Sequence, residues 1–212
     1  MNVSVLKIKA FRAIGMPVTT PVTKFGGQPV WIDTPQWPVG RTLGMPMQFV
    51  CQIELYPKIF GQLPGRMAYL FVSESNEEHS TSFWDAHSGD NAVIIQPGGI
   101  CPVQTLAIAT GPTLEPLVEY IPELESAEDP PRPISLTDSE CTEADLQRLG
   151  GHKIGGTPLF WDAVEYPDES GHWRLLLQID EDVPFAINCC LGTGYAFIDQ
   201  SGLHGAYVCQ SG

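Results

Sequence analysis

Positive charge is scarce in this chain. Eleven lysines and arginines face 25 aspartates and glutamates over 212 residues, a formal net charge of −14. Phosphate backbones are gripped by clustered Lys and Arg, so non-specific nucleic-acid binding is excluded. Docking on an anionic lipid surface is disfavoured for the same reason. Long hydrophobic runs are also missing, and none approaches the roughly 20 apolar residues that span a bilayer. The N-terminus, Met1-Asn2-Val3-Ser4-Val5-Leu6-Lys7-Ile8-Lys9, lacks a basic start, an apolar stretch and a small-residue cleavage site, so no signal peptide is read there. These absences point to a cytoplasmic protein. There is no Cys-x-x-Cys pair, although the chain has 6 cysteines (51, 101, 141, 189, 190 and 209). In a reducing compartment they are expected as free, structural thiols, and the adjacent Cys189 and Cys190 would form only a strained disulfide. No Gly-x-Gly-x-x-Gly or Walker-type Gly-Lys-Ser/Thr occurs, nor a His-Glu-x-x-His or Gly-x-Ser-x-Gly, so neither a cofactor nor an enzyme class is signalled.

What is present is a pattern written twice. Lys24-Phe25-Gly26-Gly27-Gln28-Pro29-Val30-Trp31-Ile32-Asp33 is echoed by Lys153-Ile154-Gly155-Gly156-Thr157-Pro158-Leu159-Phe160-Trp161-Asp162. Each is followed by an apolar run closing on Gln52-Ile53-Glu54 or Gln178-Ile179-Asp180, then by an aromatic pair, Tyr69 and Phe71 or Tyr195 and Phe197. The spacing between copies is constant within each motif, which implies a duplicated, pseudo-twofold fold with a groove between its halves. The expected organisation is a single domain over 1–212, with repeats at about 1–111 and 146–212 joined by a connector at 112–145. That connector is acidic, with ten acids and one base (Arg132) between Glu115 and Asp145, and it reads as solvated and partly mobile.

The fold class expected is mainly β, an α+β chain with few short helices. The paired glycines supply positive φ for turns, and the prolines after them fit strand starts or edges. Strands are expected at Val3–Ile8, Val30–Ile32, Met47–Ile53, Ala68–Val72, Leu159–Trp161, Arg174–Ile179 and Tyr195–Ile198. Ala92–Gln96 and Val103–Ile108 flank Pro97-Gly98-Gly99 as a hairpin. The best helix signal has Thr142 as N-cap, Asp145 three residues later, Leu146 and Leu149 on one face and Gly150-Gly151 as the stop.

These motifs resemble the YwqG-like proteins, a bacterial family of unknown function. The resemblance rests on Lys-x-Gly-Gly-x-Pro in both halves, Trp37-Pro38, the endings Gln52-Ile53-Glu54 and Leu177-Gln178-Ile179-Asp180, and the run Gly192 to Phe197. It implies a compact duplicated β roll with no established activity. Some members lie near toxin and immunity genes, which implies an immunity or partner-binding role. Where many members carry Trp-Gly-Asp, this chain has Asn188-Cys189-Cys190.

Candidate binding residues are Lys24, Trp31, Gln52, Glu54, Lys153, Trp161, Gln178 and Asp180. The lysines can pack their stems over Trp31 or Trp161, or grip an anion beside the glycine amides. Glu54 and Asp180, at matched strand ends, are either turn caps or, if a twofold axis joins them, a carboxylate pair for acid–base hydrolysis. His79, Asp85, His87 and Asp90 share a polar loop that reads as surface rather than metal site. The function expected is a non-enzymatic binding protein, of immunity type, with an acidic surface for a basic protein partner. The alternative is a hydrolase using Glu54 and Asp180.

Overall fold

The computed structural model describes residues 1–75, 78–187 and 189–211. In chain order its elements are β1 (Val3–Ile14), β2 (Lys24–Gly26), β3 (Trp37–Pro38), β4 (Gln48–Glu54) and α1 (Pro57–Phe60). There follow β5 (Met67–Val72), β6 (Asn91–Gln96), β7 (Thr105–Leu106), β8 (Glu119–Asp129), β9 (Ile134–Ser135) and α2 (Glu143–Leu149). The chain ends with β10 (Lys153–Gly155), β11 (Leu159–Phe160), β12 (Trp173–Asp180), β13 (Gly192–Asp199) and β14 (Gly205–Ser211).

Ten strands close into an antiparallel barrel in the order β1-β10-β12-β13-β14-β6-β5-β4-β2-β8. Side-chain alternation explains why β4, β5, β6, β12 and β13 are apolar on most positions: they are buried on both faces. On β5, Ala68, Leu70 and Val72 point into the barrel, while Met67, Tyr69 and Phe71 join an outer layer with Trp37, Phe49 and Ile94. On β13, Ala196 and Ile198 face inward, and Tyr195 and Phe197 pack outside with Phe160 and Leu175. One bulge lies between Phe49 and Cys51 on β4, and another between Leu175 and Leu177 on β12. Phe60 and Phe185, from the segments that follow β4 and β12, close the inner cluster. Phe185 stacks on Phe25 at 5.4 Å and meets Phe11 edge-on at 5.3 Å.

The capping box is present as expected: Thr142 accepts from the Asp145 amide at 3.3 Å and Asp145 accepts from the Thr142 amide at 3.0 Å. Gly26, Gly27, Gly155 and Gly156 all have positive φ. A Cβ on Gly27 would land on the Glu119 carboxylate, and one on Gly156 on the Asp129 carboxylate.

Four expectations are corrected. The stretch 112–145 is not free connector, because its residues 119–129 form β8, paired along its length with β1. Glu123, Glu125 and Glu128 are exposed there and lie across from a strand carrying Lys7, Lys9 and Arg12, with Lys9 and Glu125 at 2.8 Å. Val30–Ile32 is not a strand, since its amides are held by side chains from β4 and β5. The segment after Pro97 does not hairpin with β6: β7 pairs with β3, and β6 lies between β5 and β14. Finally, Cys190 and Cys209 form a disulfide; Cys51, Cys101, Cys141 and Cys189 remain free.

Candidate functional site

The two motif lysines are buried on the outer face of the barrel wall, alternating with Phe25 and Ile154 of the inner cluster. Lys24 is fully buried and makes a 2.8 Å ion pair with Glu119, whose other oxygen accepts the Val18 amide at 2.8 Å. Lys153 is equally buried; its ammonium donates to Asp129 at 3.0 Å, to the Leu149 carbonyl at 2.7 Å and to the Thr157 carbonyl. Burial pulls both amines below the ordinary lysine range, and Glu119 and Asp129 offset part of that effect. Neither ammonium, with no exposure to solvent, is placed to grip a ligand.

The glutamines are equally engaged. Gln52 accepts the Val30 amide at 2.8 Å and donates to the Val22 carbonyl at 2.7 Å. Gln178 accepts the Leu159 amide at 3.0 Å and donates to the Leu149 and Gly151 carbonyls, each at 3.0 Å. The hydroxyl of Tyr69 donates to the Val30 carbonyl at 2.9 Å, and that of Tyr195 to the Leu159 carbonyl at 2.7 Å. Gln96 and Gln210 clamp the next turn in the same way, accepting the Asp33 and Asp162 amides, each at 3.2 Å. In the first copy these side chains stand in for a strand ladder, and in the second they add to the short pairing of β11 with β9; buried amides must be satisfied.

Glu54 and Asp180 are not brought together. β4 and β12 stand five places apart in a ring of ten strands whose neighbours are all antiparallel, so they occupy opposite walls and run in opposite directions. Their C-terminal ends, with Glu54 and Asp180, therefore lie at opposite mouths, and a shared hydrolytic centre is ruled out. The Glu54 amide donates to the Thr23 hydroxyl at 2.9 Å. Asp180 accepts from Thr193, whose hydroxyl also receives the Trp161 indole N–H at 2.6 Å.

Trp31 tilts against Tyr69 at 4.7 Å and donates to the Ala109 carbonyl at 3.0 Å, so it is outer-layer packing. Trp161 and Trp84 are exposed. In the polar loop, Asp90 is buried and accepts from Thr42 and Ser82; Asp85 accepts the His87 amide, and the His87 ring contacts the Pro167 carbonyl at 2.7 Å. A different trio, His152, Asp180 and Asp182, gathers its ligand atoms within 4.8 Å. Nδ1 of His152 accepts the Asp180 amide at 3.2 Å, which places the ring proton on Nε2, 3.0 Å from Asp182. With both ring nitrogens used, the neutral imidazole has no lone pair for a metal.

Open space lies at the two mouths of the barrel. One cleft of about 540 Å³ is formed where β4 begins and β5 and β12 end; it is bordered by Gln48, Val50, Glu74, Leu114, Glu181 and Ile187, and among the described residues no Lys, Arg or His is on its walls. Glu74 is exposed and accepts from Gln48 at 2.9 Å. Glu181 braces the wall by accepting the Cys189 and Leu191 amides at 2.9 and 2.8 Å. The other cleft, about 270 Å³, lies where β1 and β12 begin, between α1 and Gly155-Gly156, with Arg174, Tyr166 and Trp173 on its walls.

The family described as Domain of unknown function (DUF1963) matches residues 23–206. The chain belongs to the DUF1963 family. No curated protein matches it. The DUF1963 match takes in both lysine motifs and both clefts' principal acids and bases, and it leaves out β1, which the barrel needs for closure.

Sequence reasoning missed Glu74, Glu181 and Arg174 as cleft residues of this DUF1963 chain. Gln48 and Arg174 do hold corresponding places before their two apolar runs, four residues ahead of Gln52 and Gln178, and that was the available signal. Asn188, part of the departure from Trp-Gly-Asp, lies outside the described residues. Among the described residues no helix is long and apolar enough to cross a membrane.

Proposed function

We propose that this DUF1963 protein is a non-enzymatic binding protein that receives a basic protein partner at the acidic mouth of its barrel. The observation that carries the reading is the cleft of about 540 Å³ bordered by Glu74 and Glu181, with no base on its walls among the described residues. A lysine or arginine side chain fits it: the stem lies along Val50, Val72 and Leu114, and the head meets carboxylate. A net charge of −14 speeds the encounter with such a partner. The candidate catalytic carboxylates stand apart, which favours binding over hydrolysis.

Within the family, the doubled Lys-x-Gly-Gly-x-Pro motif supports a place among the YwqG-like proteins of bacteria. The recurrence of the same glutamine and tyrosine clamps in both halves supports descent from a duplicated unit. The resemblance to that family supports a cytoplasmic role of toxin-immunity type.

The test is affinity capture from the native cell at low and high salt, with the native chain and an E74Q/E181Q variant. Glutamine still accepts the Cys189 and Leu191 amides, so the wall keeps its brace. A basic protein held at low salt, and lost in the variant, is the expected result. Equal capture by both chains, or capture of no basic protein at either salt, overturns the reading.

A further inference from the structure

Four of the eleven bases are not solvent-exposed: Lys7, Lys24, Lys153 and Arg174. Three of them have a carboxylate within ion-pair distance: Lys7 and Lys153 share Asp129 at 3.6 and 3.0 Å, and Lys24 has Glu119 at 2.8 Å. Arg174 has none among the described residues. Its Nη1 donates to the Phe60 carbonyl at 2.9 Å, and its Nε is buried without a hydrogen-bond partner. The acid that influences it, Asp199, is occupied by the amides of Gly202, Leu203 and His204 and by the Ser201 hydroxyl. A half-buried guanidinium without a counter-ion is costly, and in a chain with 25 acids and 11 bases a partner was readily to hand.

We propose that the cleft beside Arg174 binds a carboxylate carried on an apolar or aromatic body. The guanidinium presents a planar fork that matches a carboxylate and cannot lose its charge in the working pH range. The surrounding walls are Ile59, Pro131, Pro158, Tyr166 and Trp173, which suit a ring or aliphatic group. A space of about 270 Å³ holds a small acid or the terminal residue of a peptide. With one cation and apolar walls, a monoanion fits better than phosphate, whose second charge would stay unmatched. This site lies at the opposite mouth from the acidic cleft and does not depend on the function proposed there.

The test is a titration of the intact protein, following the Trp173 indole N–H by NMR. The probes are benzoate for a free acid, N-acetylphenylalanine for a peptide terminus, N-acetylphenylalanine amide and inorganic phosphate. Saturable shifts with either or both acids, and none with the amide or phosphate, are expected; the stronger acid identifies the source of the carboxylate. R174M is expected to weaken binding at least tenfold with an otherwise native spectrum. R174K, which keeps the charge and loses the fork, is expected to weaken it several-fold and serves if R174M fails to fold. No saturable shift with either acid, equal binding of the amide, phosphate binding as tight as the acids, or an R174K affinity unchanged from native overturns the proposal.

Discussion

Glu119 and Asp129 open and close one strand, β8, and each is the counter-ion of a lysine with no exposure to solvent. The strand thus anchors both lysine motifs to one ribbon of the barrel. The two pairs are not equally complete. Lys153 has three oxygen partners, and Asp129 also accepts the Thr157 amide at 3.0 Å. Lys24 has its ion pair with Glu119 and no further hydrogen bond among the described residues.

Removing one member of a buried pair strands the other, at a cost of about 3–5 kcal/mol. Lys153→Met is expected to fall in that range in urea unfolding. Lys24→Met is expected to cost less, because its ammonium loses one partner where that of Lys153 loses three. Equal losses for the two variants would show that the extra partners of Lys153 carry no weight.

The glycines that follow are the closest neighbours of these carboxylates. Gly27 and Gly156 have φ of 62° and 77°, a region that costs a residue with a Cβ about 1–2 kcal/mol. Each new Cβ would also displace the acid that neutralises a lysine. Gly27→Ala and Gly156→Ala are expected to lose roughly 2–4 kcal/mol, or several degrees of Tm. By contrast Gly171→Ala, with φ of 70° and nothing within 4 Å, is expected to lose only the backbone part. Similar losses at all three sites would separate the glycines from the ion pairs.

The doubled motif was legible because it is local: glycine readily takes positive φ, as both members of each lysine-motif pair do, and the capping box at Thr142 closes within four residues. The partners of Lys24 and Lys153 were not legible. Glu119 and Asp129 sit in a stretch where acids are dense, and composition reads such a stretch as solvated. Two of its acids are buried only because β8 pairs with β1, a contact between residues more than a hundred positions apart. The same remoteness hid the placement of Glu54 and Asp180. They close similar sequence motifs, but antiparallel closure of ten strands sends the ends of β4 and β12 to opposite mouths. The clefts escaped notice because their walls combine strand starts such as Gln48 and Arg174 with loops from distant parts of the chain.

Burial also shapes the response to alkali. It pushes the Cys101 thiol up to about 11 and the Cys189 thiol to about 12, and raises the thiol of Cys51 and the phenols of Tyr69, Tyr195 and Tyr207. These groups hold protons that the unfolded chain releases from about pH 9 for thiols and 10 for phenols. Their contribution is full below those values and is lost as pH rises through the folded-state range. Lys153, depressed by burial to about 8, acts in the opposite sense between that value and about 10.5, and Lys24, also lowered by burial, acts in the same sense as Lys153. The raised thiols and phenols outnumber these amines, so stability is expected to fall above about pH 10, by on the order of a few kcal/mol at pH 11, and the urea midpoint with it. A midpoint that holds or rises to pH 11 would show that the amines dominate.

The disulfide between Cys190 and Cys209 closes a span of 19 residues and ties the segment after β12 to β14. A closed loop of that length is worth roughly 3 kcal/mol in chain entropy of the unfolded state. Cys189 stands next to it in sequence and is a potential attacker, but thiol exchange requires a thiolate. Its thiol is buried, held up to about 12, and receives the Tyr207 hydroxyl at 3.7 Å. Exchange from Cys190 to Cys189 is therefore suppressed in the folded chain. Alkylation under native quenching, followed by peptide mapping without reductant, is expected to find Cys190 joined to Cys209 and Cys189 free. Adding a dithiol should lower the urea midpoint of the native chain and leave that of a C190S/C209S variant unchanged. A bond mapped to Cys189, or equal sensitivity of both chains to the dithiol, would show that the thiol inside the barrel takes part.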